Sequence, residues 1–212
     1  MSFMALVRFG IVALFLTWAD FASAQGKRIY TDDRFIYILQ VDSMLSMDST
    51  PHECRIASIA ITGKDGHAIQ TITTGENYPG CELPENQQFI IEDMNFDGYN
   101  DIRLLQFMPA GPNLHYYYWL YDPRTGSFRQ NTELEEITSP EFDSKLKLIY
   151  SFWRSSCCHH GLSTYRYVHG RPVMVEENSL EETGDIIITT IKKRVKGQLK
   201  MISRVVEPVT GH

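Results

Sequence analysis

Short runs of apolar or alternating residues recur along the chain at close spacing, and this pattern predicts β-strands. The runs are rich in Val, Ile, Thr, Tyr and Phe, which suit a pleated, half-buried surface. We predict strands at Arg34–Val41, Arg55–Thr62, His67–Thr73, Gln87–Ile91, Ile102–Phe107, His115–Tyr121, Ser127–Arg129, Ser163–Val168, Pro172–Glu176, Ile186–Lys192 and Gln198–Val206.

Turn signals lie between these runs and predict antiparallel hairpins. They are Lys64-Asp65-Gly66, Asp122-Pro123-Arg124-Thr125-Gly126, His169-Gly170 and Lys196-Gly197. Longer loops are predicted at Met44–Pro51 and Tyr78–Asn86. The predicted fold is mainly β, with hairpins in a small propeller-like or meander architecture.

One segment allows two interpretations. Ser139–Leu148 could form one or two helical turns, with Ser139 as cap and Pro140 at the first helical position. Lys145–Trp153 alternates like a strand instead.

The first residues predict export. Arg8 is followed by an apolar run from Phe9 to Trp18, and Ala22-Ser23-Ala24 fits a cleavage site. The run is shorter than the ~20 apolar residues of a membrane span. We therefore expect a signal peptide over residues 1–24, and one periplasmic β-rich domain over residues 25–212.

Charge and cysteine content narrow the class of protein. The net charge of −6 argues against nucleic acid, which requires a concentrated basic face, and leaves room for a basic protein partner. Export permits disulfides, so the four cysteines form a candidate framework. Cys54 and Cys81 flank the first hairpin and could bridge, which leaves Cys157 and Cys158 either bonded to each other or split between partners.

The segment from Asp93 to Asp101 has the spacing of a calcium loop. Oxygen side chains occupy loop positions 1, 3, 5 and 9, a glycine stands at 6, and a backbone carbonyl is expected from position 7. The predicted ligands are Asp93, Asn95, Asp97, Tyr99 and Asp101, with Gly98 at the turn. Position 12 is Leu104 rather than Glu, and the flanks look like strands, so we predict a strand-loop-strand site. A metal-free turn rich in Asp, Asn and Gly is the alternative.

A second polar cluster, Cys157-Cys158-His159-His160, has the residue types of a zinc or copper site but not the usual spacing. A hydrolase would use His159 or His160 as a base with Glu141 or Asp143 nearby, but no recognised hydrolase motif supports it. We expect a protein that is not an enzyme.

Two further segments have simple expected roles. The aromatic stretch His115–Tyr121 alternates, so one set of rings should be inside and the other exposed unless a neighbour covers it. The acidic groups at 133–136 and 176–182 are expected to be solvated.

Taken together, Ile91–Ile102, Tyr117–Asp122 with Gly126-Ser127-Phe128, and Gly161 with Tyr165 resemble one family. It is the group of periplasmic proteins typified by the immunity protein of the bacteria-killing type IV secretion system of xanthomonads. The resemblance covers roughly residues 85 to 180. It implies a propeller-like β fold with bound calcium, and inhibition of a lysozyme-like peptidoglycan hydrolase through a loop with a Gly and a Tyr. The matching residues here are Gly161 and Tyr165, with Tyr167 on the same strand face.

The sequence hypothesis is therefore a calcium-binding immunity protein that blocks a lysozyme-like enzyme. A calcium-dependent module that binds cell-wall glycan is the alternative, since exposed aromatics could serve either role. A metal or thiol enzyme at Cys157–His160 would need free thiols.

Overall fold

The structure is a computed structural model that describes residues 23–45, 51–78 and 85–209. Three antiparallel sheets account for most of these residues, and the strands of each sheet are consecutive in the chain. Residues 1–22 of the expected signal peptide lie outside the described part, while Ser23 and Ala24 begin the first strand. None of the helices in the described ranges has the length and apolar character to cross a membrane.

The first sheet is a four-stranded meander. Its strands are β1 (Ser23–Thr31), β2 (Phe35–Leu45), β3 (Pro51–Gly63) and β4 (Ala68–Thr73). The turn between β1 and β2 is held by Asp32, whose Oδ1 accepts hydrogen bonds from the backbone N–H groups of Arg34 and Phe35 at 2.8 and 2.7 Å.

The second sheet is also a four-stranded meander. Its strands are β5 (Phe89–Glu92), β6 (Asp101–Leu105), β7 (Tyr116–Asp122) and β8 (Ser127–Gln130). Two helices of one turn flank it, α1 (Glu85–Gln88) and α2 (Thr132–Glu135). The Asp93–Asp101 segment joins β5 to β6.

The third sheet has six strands. Its strands are β9 (Pro140–Asp143), β10 (Leu148–Arg154), β11 (His159–Val168), β12 (Arg171–Thr183), β13 (Ile186–Val195) and β14 (Gln198–Pro208). The last three strands, β12 to β14, form a long antiparallel ribbon over Arg171–Pro208. The edge strands of this sheet are β9 and β14.

Two hydrophobic cores lie on opposite faces of the second sheet, because side chains alternate along its strands. On β7, Trp119 and Tyr121 enter a core shared with the first sheet, which includes Tyr37 and Ile59. Tyr116 and Tyr118 enter the other core, formed with α2 and β10. Both sets of rings in the aromatic stretch are therefore covered, and neither is left as an open aromatic surface.

The mainly β class and the hairpins are confirmed, and the meander order is observed within each sheet. The propeller-like arrangement stays a prediction. The helical interpretation of Ser139–Leu148 is wrong: this segment is β9, a turn and the start of β10, where alternation outweighs the Pro140 signal.

The predicted loops are shorter than expected. Met44 and Leu45 continue β2 and Pro51 begins β3, while residues 46–50 and 79–84 lie outside the described ranges. The predicted strand Pro172–Glu176 is also too short, because β12 continues through Glu177, Glu181 and Glu182. Of the acids expected to be solvated, Glu176 and Glu177 instead form ion pairs with Lys193 and Lys192 on β13, at 3.1 and 2.7 Å.

Candidate functional site: the Asp93–Asp101 loop and the β10–β11 hairpin

The loop after β5 is closed by hydrogen bonds from its own backbone to its polar side chains. Asp93 accepts from the N–H groups of Asp97 and Gly98 at 3.1 and 2.8 Å. Asn95 Oδ1 accepts from the same Asp97 N–H at 3.0 Å, and Asp97 Oδ1 accepts from the Tyr99 N–H at 3.0 Å. The oxygens of Asp93 and Asn95 therefore face one another across a single donor.

The backbone turns that this closure requires occur at two positions. Gly98 has φ of 91° and Phe96 has φ of 63°. Glycine adopts such angles without strain, whereas Phe96 is held there by its ring, which meets Tyr167 edge-on at 6.0 Å and Phe142 at 6.3 Å. The third sheet thus supports the loop.

Asp101 has a different position from the other predicted ligands. It is fully buried, and its two oxygens accept from the backbone N–H groups of Met94 and Tyr121 at 2.9 and 2.8 Å. Burial raises the pKa of Asp101 to about 7 against the effect of these two bonds, and the charges of Asp97 and Asp93 raise it further. Asp101 therefore links the loop to β7, because one of its oxygens accepts from Met94 in the loop and the other from Tyr121 on β7.

These contacts test whether the loop suits calcium. Within the described ranges, no three His, Cys, Asp or Glu side chains converge in the manner of a metal site. Asp93, Asn95 and Asp97 present hard oxygen donors in one small space, and carboxylate oxygens that accept one hydrogen bond keep further lone pairs. Asp93 and Asp101 are alike in that both oxygens of each accept a backbone hydrogen bond, so the five-residue calcium set stays a prediction.

The loop also contacts the β1–β2 turn of the first sheet. Asn100 donates to Asp32 Oδ2 at 3.2 Å, which joins the loop to the β1–β2 turn. The Arg34 guanidinium lies 4.8 Å from the ring centroid of Tyr99 and 5.3 Å from that of Tyr121. Ordering of the loop would therefore stabilise contacts between the first and second sheets.

One buried ion pair was missed by sequence reasoning. Arg103 on β6 is almost fully buried, pairs with Glu92 at 2.7 Å and donates to the Pro140 carbonyl at 3.0 Å. Burial raises the pKa of Glu92, and the charge of Arg103 opposes that rise. The only sequence signal was a single Arg within an apolar strand.

The predicted inhibitory residues are in a strand rather than in a loop. Gly161, Tyr165 and Tyr167 all belong to β11, and the rings of Tyr165 and Tyr167 pack against the second core. Gly161 is buried beneath the indole of Trp153. Gly161 is buried and Tyr165 and Tyr167 are half-buried, and the inhibitory role of these three residues stays a prediction.

The exposed part of this region is the outer face of the β10–β11 hairpin. Phe152 and Leu162 are cross-strand partners, and they are 39% and 40% exposed. At the tip, Cys157 is disulfide-bonded to Cys158, and Ser155 Oγ lies 2.9 Å from His159 Nδ1. This hairpin end combines apolar surface with a tip constrained by covalent and polar contacts.

The cysteines show no thiol chemistry in the described residues. None of the described cysteines is free, and Cys54 is also in the disulfide state. Its candidate partner Cys81 lies outside the described part of the chain. The vicinal arrangement is one of the two outcomes left open for Cys157 and Cys158.

The residues of the hydrolase interpretation are not brought together. Asp143 is level with Leu148 at one end of β10, and His160 is level with Arg154 at the other end. At about 3.3 Å per residue, the two positions are roughly 20 Å apart.

Comparison with known proteins identifies a structural relative but no sequence family. No family model and no curated protein matches the chain. The fold is similar to that of a solved Xanthomonas protein described as type IV secretion system related. That match has a TM-score of 0.63 and 18% identity, and covers 86% of this chain and 97% of the other. A porin-like protein from Bacteroides uniformis aligns with a TM-score of only 0.16 at 8% identity, which carries no argument.

Proposed function

We propose that this chain is a cell-envelope protein that binds and inhibits a peptidoglycan-cleaving enzyme of the lysozyme type, as an immunity protein does. The observation that carries the proposal is the likeness of nearly the whole fold to a protein related to a type IV secretion system. The resemblance of the calcium-loop and Tyr-rich segments to the xanthomonad immunity family points the same way.

The β10–β11 hairpin end is the surface that we assign to the enzyme. An inhibitor that occupies a cleft needs a protruding element that loses little entropy on binding. The tip bonds Cys157 to Cys158, and Phe152 and Leu162 offer apolar contact on the adjoining outer face. Tyr165 and Tyr167 then have a supporting role, because their rings fix β11 on the second core.

Calcium has a structural role in this proposal. Asp93, Asn95 and Asp97 would hold the ion, which supplies positive charge among carboxylates that otherwise repel one another. The loop supports the junction of the sheets and takes no part in contact with the enzyme.

The binding test uses the chain from Gln25, the predicted mature form, with a purified bacterial peptidoglycan hydrolase of the lysozyme type as the probe. Calorimetric titration should show a stable one-to-one complex. The double variant Phe152→Ser, Leu162→Ser should bind about tenfold more weakly or worse, since central apolar contacts dominate such interfaces.

The control is Ile29→Ser, Leu146→Ser, which removes two exposed aliphatic side chains elsewhere and should leave affinity unchanged. Equal losses in both variants would contradict the assignment of this surface. Binding to purified sacculi, with no complex between the proteins, would contradict inhibition and favour the glycan-binding alternative.

A further inference from the structure

The last hairpin of the chain has a charge opposite to that of the rest. The β13–β14 hairpin, Ile186–Pro208, contains six basic residues and one acidic residue, Glu207, so it carries +5, whereas the whole chain carries −6 and the remainder −11. The basic residues are Lys192, Lys193, Arg194, Lys196, Lys200 and Arg204. A strongly basic element on an acidic protein indicates a separate partner of negative charge.

Only part of this charge is offset within the protein. Lys192 and Lys193 pair with glutamates of β12, and Arg194 donates to the Met174 carbonyl at 2.7 Å. Lys196, Lys200 and Arg204 are exposed and form no ion pair within the described residues. Their charges face solvent at the turn end of the hairpin and along the edge strand.

Large aliphatic side chains are interleaved with these charges. Met201 is 57% exposed and Ile202 is 55% exposed, and Val205 and Val206 on the same strand are also exposed. No residue of β13 or β14 belongs to either described core. These side chains are left unused by the packing of the described residues.

Charge is also segregated along the ribbon. The β13–β14 turn, Lys196-Gly197, is at the basic end, while Glu181, Glu182 and Asp185 surround the β12–β13 turn at the opposite end. Register places Met201 level with Lys192, so apolar and basic side chains share the end near Lys196. The ribbon thus has one end suited to a negatively charged surface and one end that such a surface would repel.

We propose that the β13–β14 hairpin docks this protein on an anionic phospholipid bilayer through the length of its exposed edge strand β14 and the adjoining Lys196-Gly197 turn. Lys196, Lys200 and Arg204 would lie among the lipid phosphates, and Met201 and Ile202 would enter the boundary between headgroups and acyl chains. The inference concerns a surface other than the β10–β11 hairpin, and it does not depend on inhibition of an enzyme.

The composition of the hairpin favours lipid over cell-wall glycan. Residues 186–208 include many aliphatic side chains but no aromatic residue. Sugar rings are usually bound by aromatic faces, whereas a bilayer accepts aliphatic side chains directly. Basic residues alone would suit any polyanion, and the exposed Met201 and Ile202 are the feature that selects a bilayer.

The test is co-sedimentation of the chain from Gln25 with vesicles of phosphatidylglycerol mixed with phosphatidylethanolamine, and with vesicles of phosphatidylcholine alone. The protein should bind only the anionic vesicles, and binding should weaken as salt is raised. The variant Lys196→Gln, Lys200→Gln, Arg204→Gln should bind about 100-fold more weakly, from a factor of about 5 for each basic residue.

Two further variants distinguish binding through the hairpin from a general effect of net charge on binding. Met201→Gln with Ile202→Thr should weaken binding about tenfold while the salt dependence is kept. The control Lys27→Gln, Lys145→Gln, Arg166→Gln removes the same charge from exposed positions elsewhere and should change affinity by less than about twofold. Melting curves should match the parent for all three variants.

Several results would overturn the proposal. They are absence of binding to anionic vesicles at low salt, an equal loss in the control variant, and an unchanged affinity in the hairpin variants. Binding of the parent to purified sacculi but not to vesicles would also overturn it, and would assign the basic hairpin to an anionic glycan.

Discussion

Tyr167 lies where the third sheet meets the Asp93–Asp101 loop, and its hydroxyl has no hydrogen-bond partner within the described residues. Burial raises the pKa of this hydroxyl, and the negative charges of Asp101 and Asp93 add to that rise. Its ring supports Phe96 at the position where the loop backbone turns. The ring therefore stabilises the site, while the hydroxyl costs free energy.

This leads to opposite effects for two substitutions. Tyr167→Phe removes only the unpartnered hydroxyl and should leave the free energy of unfolding unchanged or raise it by about 1 kcal/mol. Tyr167→Ala removes the ring and should lower it by about 2 to 4 kcal/mol. Urea unfolding of both variants measures the difference. A Tyr167→Ala protein that unfolds like the parent and no longer inhibits an enzyme would restore the inhibitory role of this ring.

Gly161 is constrained by packing. A Cβ atom at this position would lie 2.6 Å from the Asn178 carbonyl oxygen and 2.6 Å from Trp153 Cζ2. Gly161→Ala should therefore lower the free energy of unfolding by about 1 to 3 kcal/mol, as overpacked sites do. Gly26→Ala is the control, since a Cβ there meets nothing within 4 Å and stability should change by less than about 0.5 kcal/mol. The denaturant midpoints of the two variants measure this difference, and equal midpoints would contradict the packing constraint at Gly161.

At the scale of elements, the loop from Asp93 to Asp101 is a closed unit between β5 and β6. Its carboxylates accept backbone hydrogen bonds, and they also repel one another. A bound cation would relieve that repulsion only in the folded state. The loop is therefore the element through which calcium would act on stability.

Calcium should raise the melting temperature of metal-stripped protein. Free ion at a hundred times its dissociation constant adds about 2.7 kcal/mol if only the folded state binds. Asp97→Asn retains an oxygen for the Tyr99 N–H but loses a charge, so the calcium affinity should fall about tenfold. Asp185→Asn, at the β12–β13 turn, should keep the full response. Identical melting temperatures in chelator and in calcium would contradict calcium binding by the loop.

The β10–β11 tip is a second element with a definite chemical state. Cys157 is bonded to Cys158, and the described residues include no free thiol. Protein made in an oxidising compartment should therefore gain no mass from an alkylating reagent unless it is first reduced. Peptide mass spectrometry should find Cys157 and Cys158 linked within one peptide. Alkylation of both without reductant would contradict the constrained tip and revive a metal or thiol role.

At the scale of the whole molecule, features that depend on local sequence were predicted better than features that depend on distant residues. Turns such as Lys64-Asp65-Gly66 and Lys196-Gly197 fix hairpins through local backbone preferences, and both occur where predicted. The calcium-loop segment was predicted to join two strands for the same reason, and it does so.

Features that depend on distant partners could not be predicted. Glu176 and Glu177 look like solvated acids until Lys193 and Lys192 are placed across the ladder. Both faces of β11 carry apolar side chains, so the sequence did not reveal that Tyr165 points inward while Leu162 points out. Spacing placed Asp101 in the loop but did not reveal that one of its oxygens accepts a backbone hydrogen bond from Tyr121 on β7.

Three parts of the molecule are distinct in position. The second sheet lies between two cores, the β10–β11 hairpin presents the surface assigned to an enzyme, and the β13–β14 hairpin presents a basic edge. Because neither hairpin depends on the exposed surface of the other, changes at one should leave the other's binding intact. Inhibition of an enzyme is the property on which the proposed function rests.

That property is measured by release of dye from labelled sacculi by a purified bacterial peptidoglycan hydrolase of the lysozyme type, titrated with the chain from Gln25. We predict that release falls in proportion to added protein and stops near one equivalent, and that Phe152→Ser with Leu162→Ser shifts the titration to higher concentration. Undiminished release at a large excess of folded, calcium-loaded protein would contradict the account.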